Sequence, residues 1–136
     1  MVAETAFNGP VVGVAPAGRI DGRNHTPLEP HHSHALVVDA ESWGDEIPVL
    51  MTLVRLLRRR GPVVVLIAGG GKQTLAEVKG HLTAETPVIA LRGTGRSTDD
   101  LAQAPDRDRL IVVDVTDPHA VAAAIRGNLQ PHPGER

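Results

Sequence analysis

The 136-residue chain contains no cysteine and almost no aromatic residues. The absence of cysteine excludes disulfide bonds, thiolate metal sites and a cysteine nucleophile. One Phe, one Trp and no Tyr leave an aliphatic core, and they remove the stacking surfaces that bind single-stranded nucleic acid. Lys and Arg number 14 against 16 Asp and Glu, so no basic excess favours a nucleic-acid backbone either. We therefore expect no nucleic-acid partner.

Long apolar runs are also absent. No run approaches the roughly 18 residues of a membrane-spanning helix, and no charged-then-apolar leader begins the chain. These absences predict a soluble, cytoplasmic protein. The length suits one domain, which we place at residues 1–129, with a disordered tail at residues 130–136. We expect no cofactor.

The stretch VVVLIAGGGKQTLAE at residues 63–77 organises the rest of the chain. Residues 63–68 are continuously apolar, which is typical of a strand buried on both faces of a parallel sheet. Gly69, Gly70 and Gly71 can take positive φ and expose backbone N–H groups at the carboxyl edge of that sheet. Thr74 and Glu77 have capping-box spacing, which predicts a helix start. Such a turn is either a phosphate site or an ordinary tight turn, and this stretch alone favours neither.

A second glycine turn follows the next predicted strand, residues 87–91. The turn reads RGTGRS at residues 92–97, and Ser97 is the expected cap of another helix. Because parallel strands end at the same edge of a sheet, the two turns should face one crevice. Lys72 and Arg96 would then neutralise an anion bound there.

Alternating strand and helix patterns predict an α/β fold, a Rossmann-like three-layer sandwich with a mostly parallel sheet. Further strands are expected at residues 11–15, 35–39 and 110–114. A helix should enter at Glu46 and Ile47, and another should open at the Asp117 cap with Pro118 in its first turn. Basic residues crowd the end of the former helix, where we interpret them as a solvated helix terminus rather than a binding patch: Arg55, Arg58, Arg59 and Arg60.

Four histidines lie in the segment that precedes the second predicted strand: His25, His31, His32 and His34. Alternate residues of an extended segment point to opposite faces, and no carboxylate is placed to complete a metal site. We therefore expect no bound metal. Asp39 ends the strand, where an acid can meet a ribose hydroxyl or simply stabilise a turn.

Several segments together resemble the SLOG superfamily, in particular the LSDAT-type domain related to the N-terminal region of melastatin-type TRP channels. They are GVAPAGRI at 13–20, HSHALVVD at 32–39, WGDEI at 43–47, VVLIAGGGKQT at 64–74 and TPVIALRGTGRSTDDLA at 86–102. The family pattern is a histidine-led strand ending in LVD, an apolar strand into GG-x-x-T, and a strand into G-[ST]-G-R. The resemblance covers about residues 11–103.

The resemblance implies a domain that binds a nucleotide or a nucleotide-derived signal. The resemblance places the GG-x-x-T loop on Gly70, Gly71 and Thr74, and the second binding loop on Gly93, Thr94, Gly95 and Arg96. Residues next to or within the first loop are also expected to contact the nucleotide: Gly69, Lys72 and Gln73. The turn after the first strand, with Ala15, Pro16 and Gly18, would form another wall. A homo-oligomer or a membrane effector protein is the expected partner.

The chain departs from the family at its start. The family begins with a central strand leading into a GGT-type loop and a helix, whereas Met1 falls inside what resembles that helix. We therefore expect a domain truncated at its N-terminus relative to the family.

An enzymatic function is the other interpretation. Phosphoribohydrolases of the LOG type share a P-G-G-x-G-T-x-x-E motif and cleave the N-glycosidic bond of nucleoside 5′-monophosphates. Gly70, Gly71, Thr74 and Glu77 match it in register, while Gly69 and Gln73 depart from it. Glu77 would be the catalytic carboxylate, but the capping box described above is the preferred explanation of this residue.

Overall fold

The computed structural model describes residues 8–20, 26–103 and 108–131. Its elements are β1 (Val12–Pro16), β2 (His34–Val38), α1 (Ile47–Arg58), β3 (Val65–Ile67), α2 (Lys72–Thr83), β4 (Val88–Arg92), α3 (Arg96–Ala102), β5 (Leu110–Asp114) and α4 (Pro118–Leu129). The chain divides into two compact units, Met1–Leu50 and Met51–Arg136. The helix expected around Met1 lies outside the described residues, as does the predicted tail beyond Pro131.

The first unit is built on one parallel strand pair. β1 and β2 run in register from Val12 opposite His34 to Pro16 opposite Val38. A short 3-10 turn, Ala17–Arg19, follows β1. A largely apolar cavity of about 450 Å³ lies against the pair, and Trp43, 43% exposed, contributes to its wall.

The second unit is a three-stranded parallel sheet in the order β3-β4-β5. β4 is the central strand of this sheet, and its residues from Val88 to Leu91 are all buried. α2 and α3 contribute apolar side chains that pack with the sheet in one core cluster: Ile67, Val78, Val88, Ala90 and Leu101. The core is aliphatic, as the lack of aromatic residues predicts.

All pairings between these strands are parallel, and the predicted Rossmann-like α/β fold is confirmed. The strand expected over residues 63–68 is shorter, Val65–Ile67, and its predicted burial on both faces is wrong. Leu66 remains 47% exposed because β3 is the end strand of its sheet and packs only one face on the core. Within the described residues, no helix combines the length and apolar character needed to cross a membrane.

The start of α4 follows the sequence prediction closely. The Asp117 carboxylate accepts a hydrogen bond from the Ala120 N–H at 2.9 Å, and Pro118 occupies the first helical position. The carboxylate thereby satisfies one of the N–H groups that a helix start leaves without an intrahelical acceptor.

We predict that Asp117→Ala lowers the free energy of unfolding by about 1 kcal/mol, the usual contribution of such a cap. His119→Ala, one residue inside the same helix, is the matched control, because the exposed His119 side chain makes no hydrogen bond to a described residue. Urea denaturation followed by circular dichroism measures both. Equal losses for the two variants would contradict a capping role for Asp117.

Candidate functional site

The first glycine turn joins β3 to α2 through two left-handed residues. Gly69 has φ of 64° and Gly70 has φ of 87°, a region that glycine adopts without steric cost. Gly71 has an extended conformation and caps α2, which begins at Lys72. The turn therefore reverses the chain within three residues and presents the first helical N–H groups at the carboxyl edge of the sheet.

The capping box predicted for Thr74 and Glu77 is wrong, because the helix begins two residues before Thr74. Thr74 is the third helical residue, and its hydroxyl accepts the Gly71 N–H at 3.2 Å. Glu77 lies in the second turn of α2, where its carboxylate is 3.5 Å from Nε2 of His81. His81 is 1% exposed, and its Nδ1 has no hydrogen-bond partner among the described residues.

The second glycine turn connects β4 to α3 and is closed by its own helix. Gly93 and Gly95 have positive φ, and their N–H groups donate to the two carboxylate oxygens of Asp99, at 2.7 and 3.0 Å. Gly95 caps α3, so the cap predicted at Ser97 is wrong. Asp99, inside the first turns of the helix, holds the turn from the other side.

Three residues of the second turn and α3 bind the first turn directly. Thr98 donates both its N–H, at 3.0 Å, and its hydroxyl, at 2.7 Å, to the Gly69 carbonyl oxygen. The Thr94 hydroxyl accepts the Gly69 N–H at 2.9 Å. The Ser97 hydroxyl donates to the Gly71 carbonyl oxygen at 3.0 Å. The two glycine turns thus meet at one edge of the sheet, as expected from parallel strands.

The two turns differ in charge more than in free donors. In the first turn, the N–H groups of Gly70, Lys72 and Gln73 have no acceptor among the described residues. In the second turn, those of Thr94, Arg96 and Ser97 likewise have none, but those of Gly93 and Gly95 are bonded to the Asp99 carboxylate, which adds a negative charge there. Lys72 is exposed and has no ion-pair partner in the described part of the chain. The start of α2 is consequently the part of the site best able to accept an anion.

Arg96 is the first residue of α3 and has φ of 59°, unusual for a side chain larger than glycine. Its guanidinium group is exposed and makes no ion pair with a described residue. Arg96 therefore adds a second positive charge, beside that of Lys72, to the two glycine turns.

The third predicted wall, the turn after β1, belongs to the first unit. Ala15 and Pro16 end β1, and Pro16 is buried. The Gly18 N–H donates to the Ala40 carbonyl oxygen at 2.8 Å, and a Cβ at position 18 would lie 2.7 Å from the backbone of Glu41. Close packing within the unit accounts for Gly18, and a role of this turn in ligand binding stays a prediction.

The histidine-rich segment forms a local pair rather than a cluster. His31 Nδ1 lies 2.5 Å from a carboxylate oxygen of Glu29, and that hydrogen bond holds the pKa of Glu29 below its usual value. His34 Nδ1 is 2.8 Å from the Ser33 hydroxyl. Within residues 8–20, 26–103 and 108–131, no group of three or more His, Asp or Glu side chains is arranged to hold a metal. His25 lies outside these ranges.

An acid that the sequence did not single out as a site residue, Asp114, ends β5 at the same edge as the glycine turns. Its carboxylate accepts the hydroxyl and N–H of Thr116 at 2.7 and 3.0 Å, and it lies 3.6 Å from the Arg92 guanidinium. The hydrogen bond from the Thr116 hydroxyl is the main reason that the pKa of Asp114 is lowered. Asp114 therefore stays ionised next to the second turn.

Parallel strands that deliver two hydrogen-bonded glycine turns to one sheet edge define a Rossmann-like α/β domain. The X-ray structure of TM1055, a structural genomics target, has the same fold, with a TM-score of 0.60 and 24% identity over 88% of this chain and 65% of that one. A family model described as "SLOG in TRPM, prokaryote" matches residues 1–128. The chain belongs to this family, and its fold is that of a Rossmann-like α/β domain.

The animal relatives are much longer. Transient receptor potential cation channel subfamily M member 2 of Rattus norvegicus is 32% identical over 93 residues, and the Mus musculus protein is 31% identical over the same length. Each match covers 59% of this chain and 6% of the relative. The chain thus corresponds to a small segment of those channel proteins.

We predict that Gly70→Ala destabilises the protein by about 2 kcal/mol, because alanine is strained at positive φ. The added Cβ would also lie 2.8 Å from Cβ and Cγ2 of Thr74. Gly71→Ala is the matched control: its φ of −126° suits any residue, and the added Cβ would meet only the Gln73 side chain, at 3.6 Å. Thermal melting of both variants measures the difference, and similar melting temperatures would show that the left-handed turn is not required.

Proposed function

We propose that the chain is a ligand-sensing domain that binds the phosphate of a nucleotide or nucleotide-derived signal at the start of α2. The observation that carries this proposal is the set of N–H groups at Gly70, Lys72 and Gln73 that lack an acceptor among the described residues. They converge with the positive end of a helix dipole and with the Lys72 ammonium group, the combination that suits a phosphate.

The second turn has a supporting role in this proposal. Asp99 accepts the N–H groups of Gly93 and Gly95, and its negative charge disfavours an anion beside them, so the turn contributes chiefly through the exposed Arg96 side chain. A guanidinium group suits a phosphate because it donates two parallel hydrogen bonds. The bonds from Thr98 and Ser97 to the first turn hold the two parts together before any ligand arrives. Such preorganisation lowers the entropic cost of binding.

The partner belongs to the same proposal. In the rat and mouse relatives the matched segment is part of a cation channel subunit. We propose that this domain likewise passes its ligand signal to an effector, either a second copy of the chain or a membrane protein.

The experiment is a thermal-shift screen against nucleoside mono- and diphosphates, ADP-ribose and cyclic nucleotides. A ligand at about 100 times its Kd adds about 2.7 kcal/mol of stability. Removing one charged phosphate contact costs about 2 kcal/mol, so Lys72→Gln and Arg96→Gln should each require at least tenfold more ligand for the same shift.

Lys79→Gln is the control, because Lys79 is exposed on the same helix two turns further on. The proposal fails if no nucleotide shifts the melting temperature, or if Lys79→Gln weakens the response as much as Lys72→Gln.

One observation favours nucleoside 5′-monophosphate hydrolysis as a second candidate function. Thr74, not Glu77, completes the cap of α2, so capping no longer explains the acid. The Glu77 side chain is 28% exposed, and its contact with His81 at 3.5 Å is long for a strong ion pair. Its carboxylate therefore remains available to activate water or stabilise an oxocarbenium-like centre. Gly69 and Gln73 still depart from the phosphoribohydrolase motif.

Chromatography of nucleoside monophosphates incubated with the protein separates sensing from hydrolysis. Hydrolysis predicts released base from the wild type, and a loss of about a hundredfold or more in Glu77→Gln, because positioned acid–base groups contribute at least that much. Lys79→Gln should retain the activity. Ligand binding without released base identifies a sensor, whereas release that persists in Glu77→Gln would remove Glu77 from a catalytic role.

A further inference from the structure

The second unit has a polar cavity at the edge of the three-stranded sheet where β3, β4 and β5 begin. The glycine turns lie at the other edge, where the strands end. The volume of the cavity is about 700 Å³, within the range of small-molecule sites. Its walls come from the end of α1, the segment before each strand and the end of α4. Among the described residues, four arginines and one acidic residue line it: Arg58, Arg59, Arg60, Arg109 and Glu85. This charge excess contrasts with the net charge of −2 of the whole chain.

The arginines are not needed to cap the helix they follow. α1 ends at Arg58, and two carbonyl oxygens of its last turn accept backbone hydrogen bonds from the residues that follow. The N–H of Arg59 donates to Leu56 at 3.2 Å, and the N–H of Arg60 donates to Leu57 at 2.8 Å. Because the backbone satisfies these carbonyls, the side chains of Arg59 and Arg60 are left to serve another purpose.

One arginine is held in place and three are available. The Arg58 guanidinium donates to the Ala84 carbonyl oxygen and to the Thr86 hydroxyl, the latter at 3.3 Å. No side-chain hydrogen bond or ion pair joins Arg59, Arg60 or Arg109 to a described residue. Like charges that share a cavity repel one another unless an anion compensates them.

Arg109 has a backbone conformation that glycine adopts with less strain. Its φ is 67°, and its carbonyl oxygen accepts the Val88 N–H at 2.9 Å, which fixes the turn at the start of β5. A residue other than glycine is strained in this left-handed region. The strained position places a fourth arginine at the cavity.

We propose that this cavity binds a small anion that carries two or more phosphate groups. Guanidinium groups bind phosphate oxygens in pairs of parallel hydrogen bonds, and several arginines around one cavity match several phosphates. A nucleic-acid strand fits less well, because no aromatic side chain of the described residues lines the cavity for base stacking. The site is separate from the glycine turns, which lie at the carboxyl ends of β3 and β4, and it does not rest on the function proposed for them.

Calorimetric titration of the full chain with inorganic tripolyphosphate tests the proposal. The titrations use a Lys72→Gln/Arg96→Gln background, which removes binding at the glycine turns. Arg59→Gln/Arg60→Gln should weaken binding by about tenfold or more, since each lost charged contact matters at that level. Arg109→Gly should also weaken it by about tenfold while preserving the fold, because glycine suits φ of 67°.

The matched control is Arg55→Gln/Arg126→Gln, which removes two exposed arginines from α1 and α4 outside the cavity. It should change the affinity by no more than about twofold, as expected for exposed and screened charges. Loss of binding in the cavity variants but not in this control supports the site. The proposal is overturned if tripolyphosphate does not bind, if the control loses as much affinity as the cavity variants, or if Arg109→Gly binds as tightly as its parent.

Discussion

The carbonyl oxygen of Gly69 accepts two hydrogen bonds from one residue, and the carboxyl edge of the second unit depends on that contact. Thr98 is fully buried and donates both its backbone N–H and its hydroxyl. An unpaired polar group at such depth is costly, so the contact strongly favours one position of α3 relative to the end of β3. The left-handed φ of Gly69 and Gly70, and the free donors at the start of α2, follow from a turn anchored at this point.

The two glycine turns look equivalent in the sequence, yet they differ in their electrostatics. The first exposes N–H groups at a helix start and carries an ammonium side chain. In the second, the Asp99 carboxylate accepts the N–H groups of Gly93 and Gly95, which are then not available to an anion. A negative charge built into the second turn also disfavours a second phosphate there. This difference in charge favours an anion at the start of α2 over one at the second turn.

Local signals in the sequence predicted some elements well. β5 spans residues 110–114 as expected, and α4 opens at Asp117 and Pro118 because both the cap and the fixed φ of proline act within a few residues. The convergence of the glycine turns also followed from the sequence, since it requires only that successive strands be parallel. The alternation of strands and helices was sufficient for the fold class.

The wrong helix starts have different causes. Thr74 and Ser97 were expected to begin helices, but glycines cap both helices. The Thr74 hydroxyl accepts the Gly71 N–H three residues earlier, which is a local contact inside the helix start. The Ser97 hydroxyl instead donates to the Gly71 carbonyl oxygen, 26 residues away, and spacing along the chain does not reveal such a distant acceptor. The buried Thr98 was missed for the same reason. The exposure of Leu66 reflects sheet order, which an apolar run does not encode.

Trp43 is the only tryptophan of the chain, which has no tyrosine. Trp43 lines the cavity of the first unit. Residues 51–136 contain no Phe, Tyr or Trp at all. Intrinsic fluorescence therefore originates entirely from the surroundings of β1 and β2. The second unit, with both glycine turns and the arginine-lined cavity, contributes no aromatic absorbance or fluorescence. A tryptophan introduced there into a variant without Trp43 would therefore report on the second unit alone.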